Sequence, residues 1–147
     1  MNESKLRTYA STILEFVGRV QGEVDLRRPM GLRERGLLSQ LELDSPFAVL
    51  TGYNPHGENE HPRNQERQDG LRDTLAEEAK RFVLVDGCSP DRLHREPSIA
   101  ACIPEHRAWE IALQFEQDAF FWFDGNSFHL VGAGEPLGRV RLPLRAL

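Results

Sequence analysis

The second part of this sequence contains a series of short apolar runs, each closed by turn residues. The first run, Phe47–Tyr53, stops at Asn54-Pro55. Apolar runs of four to eight residues bounded by such pairs are typical of buried strands. We therefore predict five strands after residue 45, over 47–53, 82–85, 98–103, 119–123 and 128–131.

Two segments between these strands have apolar residues at helical spacing. The first opens at Pro62 and runs to about Lys80, and the second opens at Pro104 and runs to Phe115. The resulting β-α-β-β-α-β order predicts an α+β fold, a ferredoxin-like split sandwich with both helices on one face. Asp124-Gly125 signals an extra C-terminal hairpin strand. A three-layer α/β arrangement is the alternative.

The N-terminal part of the chain has a different pattern. Apolar residues at helical spacing predict a helix over 4–20, followed by polar residues and a short helix around Leu37 and Leu41. We expect 1–45 to be an N-terminal helical extension and 46–147 to be a single α+β domain. The alternating tail, 139–142, is expected to add an edge strand or stay loose.

Composition excludes several classes of protein. With 39% hydrophobic residues and no apolar run near the roughly 18 residues of a membrane helix, the chain is expected to be a globular, cytoplasmic protein without a secretory signal. The net charge of −5 argues against nucleic acid as a partner. Two cysteines cannot supply a disulfide framework.

The predicted topology brings polar residues from distant parts of the chain to one edge of the sheet. Strands one and two end there, strands three and four begin there, and the first long helix starts there. We predict that a shared site is formed by Thr51, Tyr53, Asn54, Arg63, Asn64, Arg67, Asp86, His94, Glu96, Gln117 and Asp118.

These residue types suggest two roles for the edge. Glu96, with His94 and Asp118 near it, is the candidate for acid–base catalysis, and the other eight residues are candidate ligand-binding groups. The start of a helix beside two arginines favours an anion. The same amides and carboxylates also suit a structural brace that ties loops together.

Histidine and acidic residues of this region, including His56, Glu58 and His61, are of metal-ligand type. No helical pair such as His-x-x-x-His fixes two of them, so we predict no metal site. No cofactor is assigned.

Several segments together resemble an uncharacterised bacterial family, domain of unknown function 3293. They are Phe47–Gly57, Arg63-Asn64, Asp86–Asp91 with His94–Ser98, and Gln117–Phe123. The resemblance covers about residues 46–132. It implies that the polar positions above are a family signature, and it brings no known activity or catalytic residue.

The sequence thus favours a small-ligand domain, binding an anionic or nucleotide-like molecule at the sheet edge with acid–base hydrolytic chemistry. The alternative is a non-enzymatic protein-interaction module, such as a regulator, immunity or defence accessory, with a protein partner.

Overall fold

A computed structural model describes residues 1–134 and 138–145 of the chain, and in these ranges it has four α-helices and eight strands. The helices are α1 (Glu3–Ala10), α2 (Leu32–Gln40), α3 (Asn64–Glu78) and α4 (Glu105–Gln114). The strands are β1 (Ile13–Val17), β2 (Gln21–Asp25), β3 (Phe47–Leu50), β4 (Phe82–Cys88), β5 (Arg95–Ala101), β6 (Ala119–Phe123), β7 (Phe128–Gly132) and β8 (Arg139–Arg141). A short 3₁₀ turn, Pro55–Gly57, follows β3. This mixture of helices and strands confirms the α+β class.

All eight strands form one antiparallel sheet in the order β2-β1-β4-β5-β3-β6-β7-β8. Because β3 and β4 both run antiparallel to β5, they run parallel to each other. The ends of β3 and β4 therefore lie with the beginnings of β5 and β6 at one edge of the sheet. We call this edge, with the β3–α3 loop and the start of α3, the polar edge.

Helices cover both faces of the sheet. Successive side chains of a strand point to opposite faces, and in β3 Ala48 and Leu50 pack with α3 and α4, while Phe47 and Val49 pack with α1 and α2. The two long helices thus share one face, as predicted, and the N-terminal helices lie on the other, as in the three-layer alternative. The sheet therefore lies between two apolar cores, one on each of its faces.

The predicted helix over 4–20 is wrong beyond Ala10. Residues 13–25 instead form the β1–β2 hairpin, and β1 pairs with β4 through Ile13↔Cys88 and Glu15↔Asp86. Two glycines, Gly18 and Gly22, weaken a helix here, and pairing with β4 outweighs the local helical pattern. The domain boundary at residue 45 stays a prediction, and one sheet contains strands from both sides of it.

Other boundaries differ by a few residues. β4 continues to Cys88 and β5 begins at Arg95, because the hairpin between them keeps its register through polar residues. β3 ends at Leu50, three residues before the predicted end. The short helix near Leu37, the extra strand β7 and the edge strand β8 are confirmed. Within the described ranges, none of the helices has both the length and the apolar character needed to cross a bilayer.

Candidate functional site

The β3–α3 loop is organised by an unusual backbone conformation at Asn54. Its φ of 51° and ψ of 65° are left-handed, a region that asparagine tolerates better than most residues. Asn64, the first residue of α3, accepts a hydrogen bond from the Asn54 backbone N–H (2.7 Å) and donates one from Nδ2 to Asn54 Oδ1 (2.8 Å). The start of α3 thereby fixes the orientation of the Asn54 side chain.

Asn54 in turn presents its amide to Glu96 at the beginning of β5. Asn54 Nδ2 donates to Glu96 Oε2 over 3.2 Å, and the Glu96 side chain is half-buried. Burial raises the pKa of this carboxyl above its ordinary value, and the hydrogen bond from Asn54 opposes the shift only in part. Among the described residues, Glu96 Oε1 has no hydrogen-bond partner. Glu96 thus combines a raised pKa with one carboxyl oxygen that makes no hydrogen bond to the described residues.

Arg67 acts as a brace at this edge. Its Nε donates to the carbonyl of Gly52 (2.9 Å), its Nη1 contacts Glu116 (3.2 Å), and its Nη2 donates to the carbonyl of Phe115. Gln68 Oε1 accepts the Gly52 N–H at 2.8 Å. The guanidinium thus joins the end of α4 to the β3–α3 loop and is not directed at a ligand.

Two other predicted site residues serve the same loop. Gln117 Nε2 donates to the carbonyls of Tyr53 (2.9 Å) and Phe115 (3.2 Å). Thr51 Oγ1 donates to the Pro97 carbonyl (2.8 Å) and accepts the Tyr53 N–H (3.0 Å). A buried amide satisfied by backbone is a structural feature. In the described residues the Tyr53 hydroxyl makes no hydrogen bond.

Asp118 forms a second cluster on the β6 side of the loop. Its Oδ1 lies 3.1 Å from His56 Nδ1, and Lys5 of α1 donates to Oδ2. Burial raises the pKa of Asp118, but the hydrogen bonds from Lys5 and His56 outweigh it and hold the pKa below its ordinary value. The sequence did not predict that His56 and Lys5 contact Asp118. His56 was considered only as a metal-ligand type, and Lys5 lies 113 positions before Asp118 in the chain. The position of His56, two residues after Asn54, was the available signal.

Three predicted site residues lie outside these clusters. Asp86 bonds Arg95 (3.2 Å), and Arg63 makes two hydrogen bonds to exposed Glu66 (2.9 and 2.8 Å). His94 is exposed, and in the described part of the chain its side chain has no hydrogen bond. The imidazole that contacts Asp118 is therefore that of His56, while His94 lies in the β4–β5 hairpin.

No group of three or more His, Cys, Asp or Glu side chains within 1–134 and 138–145 is arranged to hold a metal ion. His61 lies 3.9 Å from Glu58, and the two form only a pair.

The residues of the polar edge, from the end of β3 to the start of β6, lie within a segment that matches a known protein family. Neither a curated protein nor a solved structure matches the chain. Residues 50–120 match the sequence model of the family described as Protein of unknown function (DUF3293), which confirms the resemblance drawn from the motifs. The similarity to that family thus spans the β3–α3 loop, α3, β4, β5, α4 and the start of β6.

Proposed function

We propose that the polar edge binds a small nucleotide-like ligand and that Glu96 is the acid–base group of a hydrolytic reaction there. The observation that carries the proposal is the Asn54–Glu96 contact: a half-buried carboxyl takes one hydrogen bond from an amide whose backbone is held in a left-handed conformation. Backbone strain of this kind concentrates at functional sites, where the surrounding structure maintains it.

The protonation behaviour of Glu96 supports a catalytic role. Because burial raises its pKa, the carboxyl keeps its proton to a higher pH than an exposed glutamate does. A carboxyl of this kind donates a proton to a leaving group more readily near neutral pH. Its free oxygen and the neighbouring Asn54 amide also match the donor and acceptor groups with which Asn and Glu side chains recognise base edges.

The contacts of the arginines favour the nucleotide-like ligand over a purely anionic one. Arg67 already bonds two backbone carbonyls and Glu116, and Arg63 is paired with Glu66. Neither guanidinium is left to clamp a phosphate or carboxylate. Glu96 Oε1 and the Tyr53 hydroxyl, which have no hydrogen-bond partner among residues 1–134 and 138–145, suit a hydrogen-bonding ring system.

The strand order supports a ferredoxin-like arrangement of the four central strands, which we include in the proposal. β5 lies between β3 and β4, the two strands joined by α3, and β3 lies between β5 and β6, the two joined by α4. These are two interleaved split β-α-β units. Such an arrangement accounts for the convergence of both loops at the polar edge.

Binding can be tested by isothermal titration calorimetry with adenosine, guanosine, cytidine, their 5′-monophosphates and inorganic phosphate. We expect one or more nucleosides to bind, and Glu96→Ala to weaken that binding at least tenfold while the melting temperature stays within a few degrees. Glu110→Ala, which removes an exposed carboxylate of α4, is the matched control and should leave the affinity unchanged. Failure of every nucleoside and nucleotide to bind, or equal binding by Glu96→Ala, would overturn the proposal.

The alternative of a protein-interaction module draws support from exposed apolar residues of the N-terminal part. Val17 of β1 is 45% exposed and Leu32 is 90% exposed. Single exposed apolar side chains are common on monomers, so this support is weaker. Residues 1–45 contain two strands of the sheet, so they cannot simply be removed to test this alternative. The test is instead the double variant Val17→Ser/Leu32→Ser in the full chain. If this variant still binds every protein that the wild type binds in a pull-down, these two positions are not part of an interaction surface.

A further inference from the structure

His56 and Asp118 form an oriented histidine–carboxylate pair at the polar edge. The Asp118 side chain is 7% exposed and the His56 side chain is 62% exposed, so a buried acid contacts an imidazole that faces solvent. Lys5 occupies the second carboxylate oxygen. The Asp118 carboxylate is therefore enclosed by protein, and the His56 imidazole is accessible to solvent.

The hydrogen on the imidazole is fixed by this arrangement. The lowered pKa of Asp118 keeps it ionised near neutral pH, and a carboxylate only accepts hydrogen bonds. Nδ1 of His56 must then carry the hydrogen in the 3.1 Å contact, which leaves the Nε2 lone pair on the exposed side. Glu116 Oε2 lies 3.6 Å from Nε2, beyond hydrogen-bond distance.

The backbone holds His56 as firmly as the side chain does. Its φ of 52° is left-handed, an uncommon conformation for histidine, and its N–H donates to the Glu116 carbonyl at 2.8 Å. Glu116 has a φ of 57° and is tied to Arg67. Two residues in left-handed conformations are thus joined by a backbone hydrogen bond, which holds the His56 backbone in place beside Asp118.

Glu96 and Asp118, the carboxylate partner of His56, lie at the starts of two strands on either side of β3. Glu96 is the second residue of β5, Asp118 directly precedes β6, and β3 lies between these strands. Two strand spacings put the backbone positions of Glu96 and Asp118 about 10 Å apart along the edge. In inverting glycoside hydrolysis the two carboxyl groups are separated by roughly 6.5–9.5 Å, which leaves room for a water, and the spacing of these two strand positions is of the same order.

We propose that His56 is the general base of the polar edge and that the reaction is hydrolysis of the N-glycosidic bond of a nucleoside, an inference that rests on the function proposed above. His56 Nε2 takes a proton from water, and the water oxygen forms a bond to the anomeric carbon. The bond from that carbon to the base nitrogen breaks with its electron pair on the nitrogen, which Glu96 protonates. The imidazolium and the carboxylate then exchange protons with solvent.

Lys5 and Asp118 are positioning residues in this scheme. Lys5 belongs to α1, outside the family segment 50–120, so the N-terminal helix would complete the site by neutralising Asp118 from behind. Without this contact the buried carboxylate would gain a proton more easily and lose its hold on Nδ1. Positioning groups of this kind fix the tautomer and the ring orientation.

The test is release of free base from inosine, guanosine, adenosine, uridine and cytidine, measured by reversed-phase chromatography with the full chain. We expect His56→Gln to lower turnover at least 100-fold, and His106→Gln, an exposed histidine of α4, to stay within twofold of wild type. Added 4-methylimidazole should restore part of the activity of His56→Ala. Lys5→Met should lower kcat several-fold, and Lys5→Arg should restore it.

The outcomes separate this inference from the proposed function. Nucleoside binding that depends on Glu96, without base release from any nucleoside, would overturn the inference and leave the binding function standing. Turnover that is unchanged in His56→Gln, or that 4-methylimidazole does not raise in His56→Ala, would also overturn it. Absence of nucleoside binding would overturn both proposals.

Discussion

Asn54 and Asn64 are joined by two hydrogen bonds that use both ends of one amide. Asn64 Oδ1 accepts the Asn54 N–H at 2.7 Å, and Asn64 Nδ2 donates to Asn54 Oδ1 at 2.8 Å. An amide is the side chain of this size that supplies a donor and an acceptor together. The pairing keeps Asn54 left-handed and directs its Nδ2 toward Glu96.

We expect Asn64→Ala to lower the free energy of unfolding by about 1–3 kcal/mol, because it leaves the half-buried N–H and Oδ1 of Asn54 without their partner. Urea unfolding at neutral pH measures the loss. Gln65→Ala is the control, since Gln65 is exposed and bonds only Asp69 among the described residues, and its effect should stay below about 0.5 kcal/mol. Equal losses in the two variants would contradict a specific role for the Asn54–Asn64 pair.

Asn54→Gly separates the backbone role of Asn54 from its side-chain role. Glycine adopts the left-handed conformation without strain, so we expect the change in unfolding free energy to stay within about 1 kcal/mol. Loss of the amide next to Glu96 should nevertheless weaken any nucleoside binding that Glu96 supports. Calorimetry and urea unfolding on the same sample distinguish the two effects, and a stability loss as large as that of Asn64→Ala would refute the distinction.

Close packing at Gly52 predicts contrasting effects of two alanine substitutions. A Cβ at Gly52 would lie 2.7 Å from the backbone carbonyl oxygen of Arg67, so Gly52→Ala must shift α3 and should cost about 1–3 kcal/mol. Gly70 lies inside α3, and its Cβ would meet the Phe115 ring at an ordinary 3.7 Å. Gly70→Ala should therefore stabilise the protein by about 0.5–1 kcal/mol. Thermal unfolding of both variants measures these changes in stability. An unchanged melting temperature in Gly52→Ala would show that the β3–α3 loop can move away from α3 to accommodate the Cβ.

The sequence predicted the elements around the polar edge because their signals are local. Phe47–Leu50 and 119–123 are apolar runs closed by turn residues, and the stripe of Leu71 and Leu75 marks one buried face of α3. The resulting strand directions were enough to bring Asn54, Glu96 and Asn64 together. The directions of the strands determine which residues lie at the polar edge. The sequence therefore predicted this set of neighbouring residues, although it did not predict the individual hydrogen bonds between them.

The parts that the sequence did not predict depend on contacts between distant residues. The β1 segment has the spacing of a helix, and only its pairing with β4 makes it a strand. The bond from Lys5 to Asp118 requires α1 to lie beside the start of β6, which no local pattern indicates. Likewise, the difference between Arg67 as a brace and Arg67 as an anion ligand depends on the carbonyls of Gly52 and Phe115.

The raised pKa of Glu96 predicts how stability changes with pH. A carboxyl whose pKa is higher in the folded than in the unfolded chain stabilises the fold at low pH, and this contribution is lost as pH rises through the folded-state pKa. Glu96→Gln mimics the neutral carboxyl and does not titrate. We therefore expect the variant to gain stability relative to wild type between pH 4 and pH 8, as measured by urea unfolding. A difference between the two proteins that is independent of pH would contradict the burial of this carboxyl.

Asp124 should show the opposite pH dependence at the far end of β6. Burial raises its pKa, but the backbone N–H of Ser127, the His129 ring and the backbone N–H of Asn126 together lower it to about 2. A shift of that size from 3.8 corresponds to about 2 kcal/mol, and solvent screening of a side chain that is 40% exposed reduces it to about 1 kcal/mol. This stability is present above the ordinary pKa of aspartate and is lost as pH falls through about 2.

Asp124→Asn should therefore cost about 1 kcal/mol near pH 7, and the difference from wild type should shrink as the pH falls below about 4. The carboxylate is the hydrogen-bond partner of His129 at 2.8 Å, while within the described residues the buried Nδ1 of that ring has none, so the imidazole depends on this contact for its orientation. Urea unfolding at pH 7 and pH 3 measures both effects. Asp69→Asn, an exposed carboxylate of α3, serves as the control, and a cost for Asp124→Asn that grows toward acid pH would contradict the assignment of the lowered pKa to the native turn.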